Sequence, residues 1–184
     1  MTGAGSVESD ARVRLFCALT LPDDAVRSIV AWQGRLPDGD FRPVPPANLH
    51  VTLAFLGARP ALELDAIGGE LEASAAAARP IALAARRYRE TRSVGMLVFD
   101  DEDGAAAALA DDLASRLDRL GVYEPERRPW LPHLTVVRFR RSPRLAPAVP
   151  ELRFVPSGAA VYLSRLRRSG AEYVVVQRFG LGGS

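Results

Sequence analysis

The order strand, helix, Pro-rich passage, strand occurs twice in this chain, and this repetition limits the available folds more than any other feature. In the first half RLFCALTL (Arg14 to Leu21) is apolar and rich in strand formers. Pro22, Asp23 and Asp24 then mark the start of a helix that runs to Gly34, because acids suit a helix N-terminus. PDGDFRPVPPAN leads into a second strand, LHVTLAFLG (Leu49 to Gly57). The second half repeats the order with GMLVFD, an Ala/Leu helix over 105–120, EPERRPWLP and HLTVVRF. The strand centre lies 35 residues before the histidine in the first copy (Leu15 to His50) and 36 in the second (Leu97 to His133). Between the copies Ala61 to Ala78 reads as helix and Ile81 to Tyr88 as strand. The tail adds strands near Ala159 to Leu166 and Glu172 to Phe179, antiparallel across a turn at Ser169-Gly170.

Near-equal offsets imply two lobes of the same build. The expected fold is α+β: two pseudo-symmetric lobes, each a small antiparallel sheet with flanking helices, and a cleft between them. Residues 1–11 are expected to form a flexible tail, 12–180 one bilobal domain, and 181–184 a frayed end.

Composition excludes several classes. A chain of 184 residues, 48% of them hydrophobic, buries enough surface to fold without a metal or disulfide. Cys17 is the lone cysteine, so no internal disulfide forms, and a reducing cytoplasmic compartment is expected. One Cys and two His cannot close a four-ligand structural zinc site, and no cofactor is expected. The N-terminal dozen residues are small and polar, unlike a signal peptide, and no apolar run reaches the ~18 residues of a membrane span. Net charge is only +2, but it is unevenly spread: ten Arg face one acid between Arg127 and Arg168, and seven acids face one Arg between Asp100 and Asp118. Such asymmetry suits a domain with one face turned to an anion.

The two histidines of the chain, His50 and His133, are each followed at +2 by a threonine, Thr52 and Thr135. Five threonines in 184 positions rarely produce that match by chance. Residues i and i+2 share a strand face, so each His and its Thr project together while Val51, Leu53, Leu134 and Val136 turn inward. Two such faces across a cleft offer two imidazoles and two hydroxyls. A phosphodiester suits them, since in-line displacement needs a base on one side of phosphorus and an acid on the other, with hydroxyls on the non-bridging oxygens. Spacing does not say which histidine is which.

These motifs resemble the two-histidine (2H) phosphoesterases. The flanks RLFCALTLP, PPANLHVTLAFLG and RPWLPHLTVVRF are similar to the bacterial RNA 2',3'-cyclic phosphodiesterase branch, also called 2'-5' RNA ligase-like. The resemblance spans Arg12 to Phe179 and departs at Pro43, where the family more often carries an aromatic residue. It implies that His50 protonates the departing ribose 3' oxygen, His133 activates water, and Thr52 and Thr135 bind the phosphate without a metal. It also implies a phosphate-contacting arginine five residues after the second histidine, here Arg138. Strict alternation puts Arg138 on the face opposite His133, so that role requires a bulge or twist.

The expected function is therefore metal-independent hydrolysis of RNA 2',3'-cyclic ends to 2'-phosphomonoesters. The partners would be RNA ends or small cyclic nucleotides, with no membrane, and the chain a monomer. The alternatives are an esterase for another cyclic phosphate or a 2'-5' linked oligonucleotide, with or without reverse ligation, and a non-catalytic RNA-end-binding module.

Overall fold

The computed structural model describes residues 11–167 and 170–182. Most of the expected N-terminal tail, the turn residue Ser169 and the last two residues therefore lie outside the described residues. The order of elements is β1 (Arg12–Thr20), α1 (Asp23–Gln33), β2 (Arg42–Pro43), β3 (Val51–Pro60), α2 (Leu64–Ala76), β4 (Leu83–Glu90), β5 (Val94–Asp100), α3 (Ala105–Arg119), β6 (His133–Arg138), β7 (Arg153–Phe154), β8 (Gly158–Arg167) and β9 (Gly170–Phe179). Short 3₁₀ turns at Pro46–Asn48 and Ala61–Glu63 precede β3 and α2.

The strands form two antiparallel sheets. Sheet A has the order β3-β1-β8-β9, and sheet B the order β2-β6-β5-β4-β7. The fold is thus α+β with the expected two lobes. In space β3-β1-β8-β9 corresponds to β6-β5-β4-β7, but along the chain β8 comes after both motif strands and β4 comes before β5. The duplication read from sequence therefore covers only β1–α1–β3 and β5–α3–β6. β2 and β7 are two residues long, too short for alternation to mark them, and Pro43 sits in β2 at the sheet edge where a missing N–H is tolerated.

The halves interlock. α1 follows a strand of sheet A, yet its buried Gln33 donates from Nε2 to the carbonyls of Val44 (3.1 Å) and Val136 (2.7 Å) in the sheet B half. The Trp32 indole donates to the Ala148 carbonyl at 2.8 Å. α3 follows a strand of sheet B but packs on α2, where the Ser74 hydroxyl donates to Asp112 (2.7 Å) and Arg116 pairs with Glu70 (3.5 Å). One continuous apolar core, including Leu15, Leu19 and Ile29 as well as Leu97, Leu113 and Leu134, runs between the helices and both sheets. Burial of fully enclosed Leu and Ile side chains stabilises a fold by ~1.5–3 kcal/mol each, so most of the driving force is shared across the lobes.

At the C-terminus the structure differs from the expected frayed end, 181–184, at the two residues of it that are described. Leu181 is buried, and the Gly182 N–H donates to the Ala75 carbonyl at the end of α2 (2.9 Å). A side chain at Gly182 would strike the Ala76 carbonyl oxygen, so these residues are packed rather than frayed.

Candidate active site

His50 lies one residue before β3, and His133 is the first residue of β6. In both, the ring Nδ1 meets the carbonyl two residues earlier: Asn48 at 2.7 Å for His50 and Leu131 at 2.8 Å for His133. A carbonyl only accepts, so Nδ1 carries the hydrogen in each ring and Nε2 is left for chemistry. Two independent strands have thus fixed the same tautomer by the same local bond.

Inward and outward residues follow the expected alternation at first. Val51, Leu53, Leu134 and Val136 are buried, while Thr52 and Thr135 are partly exposed with their histidines. Then both strands break step at the same place. In β3 the register skips Leu53, so that Thr52 opposes Ala18 and Ala54 opposes Cys17. In β6 it skips Val136, so that Thr135 opposes Met96 and Val137 opposes Gly95. Each bulge lies three residues after its histidine and puts two successive residues in the core. The fifth residue after each histidine is thereby returned to the outer face: Phe55 in β3 and Arg138 in β6. The bulge that Arg138 required is present.

The motifs meet across the lobes. The Trp130 indole N–H, just before β6, donates to the Thr52 carbonyl at 3.0 Å. Arg138 donates from Nη2 to the Tyr173 hydroxyl at 3.3 Å, and the Tyr173 ring stands edge-on to His50 at 5.3 Å. Asn48 locks this corner by donating to the Ala171 carbonyl (2.8 Å) and accepting from the Tyr173 N–H (3.3 Å).

Beneath His50 lies an aromatic floor contributed by sheet A. The Phe16 ring is 4.7 Å from the imidazole and stacks on Tyr162 at 4.8 Å. Burial against these rings pushes the His50 imidazole down to about 4, with smaller pushes the same way from the charges of Arg138 and His133, against the Asn48 carbonyl, which raises it. No ring contact of this kind surrounds His133 among the described residues. Cys17 faces the core, where burial pushes its thiol up to about 12 and makes it a poor nucleophile. Among the described residues no group of three His, Cys, Asp or Glu stands together to hold a metal ion, and no helix is long and apolar enough to cross a membrane.

The sequence reading named His50, Thr52, His133, Thr135 and Arg138; Thr52 and His133 line one concavity, Arg138 lines another with Asn48, the charges of Arg138 and His133 both reach His50, and Thr135 lies partly exposed two residues after His133. That reading missed Asn48, Phe16, Trp130, Tyr162 and Tyr173. Trp130 stood inside a flank already singled out, but Tyr162 and Tyr173 carry no local signal because they reach His50 from β8 and β9.

Two antiparallel sheets, one flanked by a His-x-Thr pair at β3 and the other carrying one on β6, have the build of a two-histidine phosphoesterase. The chain belongs to the 2'-5' RNA ligase superfamily, whose family model matches residues 21–167. It is 30% identical to the RNA 2',3'-cyclic phosphodiesterase of Thermus thermophilus over 93% of this chain and 91% of that protein. It is 27% identical to the protein of the same name from Escherichia coli K12, over 91% of this chain and 96% of that one. Among solved structures it resembles TT0787 of Thermus thermophilus, with a TM-score of 0.80, 30% identity and coverage of 92% and 98% of the two chains. It also resembles E. coli LigT complexed with 3'-AMP, with a TM-score of 0.79, 26% identity and coverage of 93% and 99%.

Proposed function

We propose that this protein hydrolyses RNA 2',3'-cyclic phosphodiester ends to 2'-phosphomonoesters. The reading is supported by the curated relatives of that name and by the 3'-AMP bound in LigT. The observation that carries it is the matched pair of imidazoles, each held by a carbonyl at Nδ1 with Nε2 left for the cleft. Two rings held in the same tautomer are suited to moving one proton in and one proton out around a single phosphorus bound between them.

In this mechanism the His133 Nε2 takes a proton from water as that water attacks phosphorus. The His50 Nε2–H gives a proton to the departing ribose 3' oxygen. Thr52 and Thr135 donate hydroxyls to the non-bridging oxygens, and the Arg138 guanidinium offsets their charge as the bonds to phosphorus rearrange. His50 must be protonated to act, although its surroundings favour the neutral ring. The incoming phosphate supplies the correction: its negative charge offsets the pushes of Arg138 and His133 and favours the imidazolium. The chemistry needs no metal, and the reading takes residues 12–180 as one working unit, a monomer acting on RNA ends in the cytoplasm.

The test is product identification with a short RNA ending in a 2',3'-cyclic phosphate. A 2'-phosphate end is expected. Cleavage of a 2'-5' linked dinucleotide or another cyclic phosphate in its place would assign the cleft to a different ester, and binding without turnover would make this a binding module.

A further inference from the structure

Two concavities of different chemistry adjoin the histidine motifs, one lined by Thr52 and His133 and the other by Asn48 and Arg138. The one beside Thr52 and His133 holds about 400 Å³, is walled by Phe55, Tyr123 and Trp130, and matches its two arginines with two acids. The other holds about 540 Å³ and runs from Asn48 past Arg138 to Arg42 and Arg140, with Asp40 the one acid on its wall. It adjoins the reacting centre at both ends of one contact chain: the Asn48 carbonyl orients His50, and Arg138 reaches the Tyr173 hydroxyl beside it.

Three arginines share that wall, two of them by backbone register. Arg42 in β2 lies directly opposite Arg138 in β6. Paired residues project to the same face, and like charges directly opposite one another destabilise a sheet. Arg140 lies in the bend just past the end of β6, beyond buried Phe139, and lines the same concavity. Among the described residues the ion pairs of the molecule involve none of these three. A like-charged row at the mouth of a cleft is relieved when an anion bridges it, and the planar guanidinium fork matches the oxygens of phosphate.

We propose that this concavity is a second anion subsite, taking the 5' phosphate of the terminal nucleotide while its 2',3'-cyclic phosphate sits between the histidines. The proposal rests on the reaction assigned above and narrows its substrate: the preferred end is one that continues into an RNA chain, rather than a free cyclic nucleoside phosphate. Arg138 stands nearest the histidines, Arg42 extends the row across the sheet edge, and Arg140 extends it past the end of β6.

Two measurements test it, one of which does not depend on turnover. Calorimetric binding of adenosine 3',5'-bisphosphate is compared with that of 3'-AMP in the wild type and in the Arg42→Gln/Arg140→Gln variant. The bisphosphate should bind wild type about tenfold tighter or more, the scale of one charge-assisted contact, and the double variant should lose most of that preference. In turnover, the ratio of kcat/KM for 5'-phosphorylated adenosine 2',3'-cyclic phosphate over the unphosphorylated compound should fall by about the same factor. Both residues are exposed, and retention of the circular dichroism spectrum confirms that the variant is folded. Equal affinity of wild type for the two ligands, or a preference that survives the double substitution, overturns the subsite. If neither cyclic compound is turned over while the bisphosphate preference and its loss are observed, the subsite stands and the assigned reaction fails.

Discussion

β3 and β6 present the same device in different surroundings. Each carries a histidine bonded to its own i−2 carbonyl, a threonine two residues on, and a bulge at the next position. After the bulge the copies diverge: β3 exposes Phe55, 52% accessible, where β6 exposes Arg138. The rings diverge too, since His50 rests on Phe16, Tyr162 and Tyr173. The duplicated parts are those that the proposed proton transfers need in pairs. The unduplicated parts make one wall apolar and the other cationic, and a cyclic nucleotide, apolar at its base and anionic at its phosphate, is itself asymmetric in that sense.

The equal half of the comparison is broken first by removing each ring. His50→Ala and His133→Ala should each lower turnover by ~10²–10⁴-fold, the usual range for a positioned acid or base. A variant that keeps a near-native rate would show that only one strand carries chemistry. The unequal half is tested at the fifth residue. Arg138→Ala should lower kcat by roughly 10²-fold on a cyclic mononucleotide, as loss of one preorganised charge contact at the reacting centre does. Phe55→Ala should instead raise KM by about tenfold with kcat nearly held, the scale of one lost base–aromatic contact. If both substitutions move the same parameter, the two outward residues do not divide the work.

The difference between the rings has a pH signature. An unperturbed histidine pair would place a bell-shaped profile around ~6.5. His50, held down to about 4, should move one limb of kcat/KM to near that pH. The corresponding limb of kcat should lie higher, because bound phosphate favours the imidazolium; coincident limbs would show that substrate does not recharge the ring. Stability follows the same group. The folded state resists a proton that the unfolded chain accepts below ~6.5, so stability is full above that value and falls as pH drops towards 4, by up to about 3 kcal/mol. Thermal melts should therefore show wild type losing more than His50→Gln between pH 6.5 and 4.5. The smallest expected effect is that of a chelator. With no multi-carboxylate, His or Cys group among the described residues, excess chelator should leave kcat within about twofold. Loss of activity restored by a divalent ion would end the metal-independent mechanism.

The sequence by itself determined the paired His-x-Thr motifs, the order of the longer strands and helices, and the inward turn of Val51, Leu53, Leu134 and Val136. All of these depend on residues within a few positions of each other, where alternation and helical periodicity leave a pattern in one stretch of chain. It also located the conflict at Arg138, since five residues of strict alternation give the wrong face. What removed the conflict was decided by tertiary structure: the bulges at Leu53 and Val136 are made against partner strands, in register with Ala18 and Met96, and neither bulged position is itself a glycine. The same is true of the aromatic floor, where Tyr162 and Tyr173 reach His50 from more than a hundred residues away, and of α1, whose Gln33 finds its acceptors in the other half of the chain. Pairings at such separation leave no local periodicity, because each partner satisfies its own strand or helix rule equally well in many arrangements. The packed core selects one of them, and with it the lowered proton affinity of His50, which depends on what surrounds the ring rather than on what precedes or follows it.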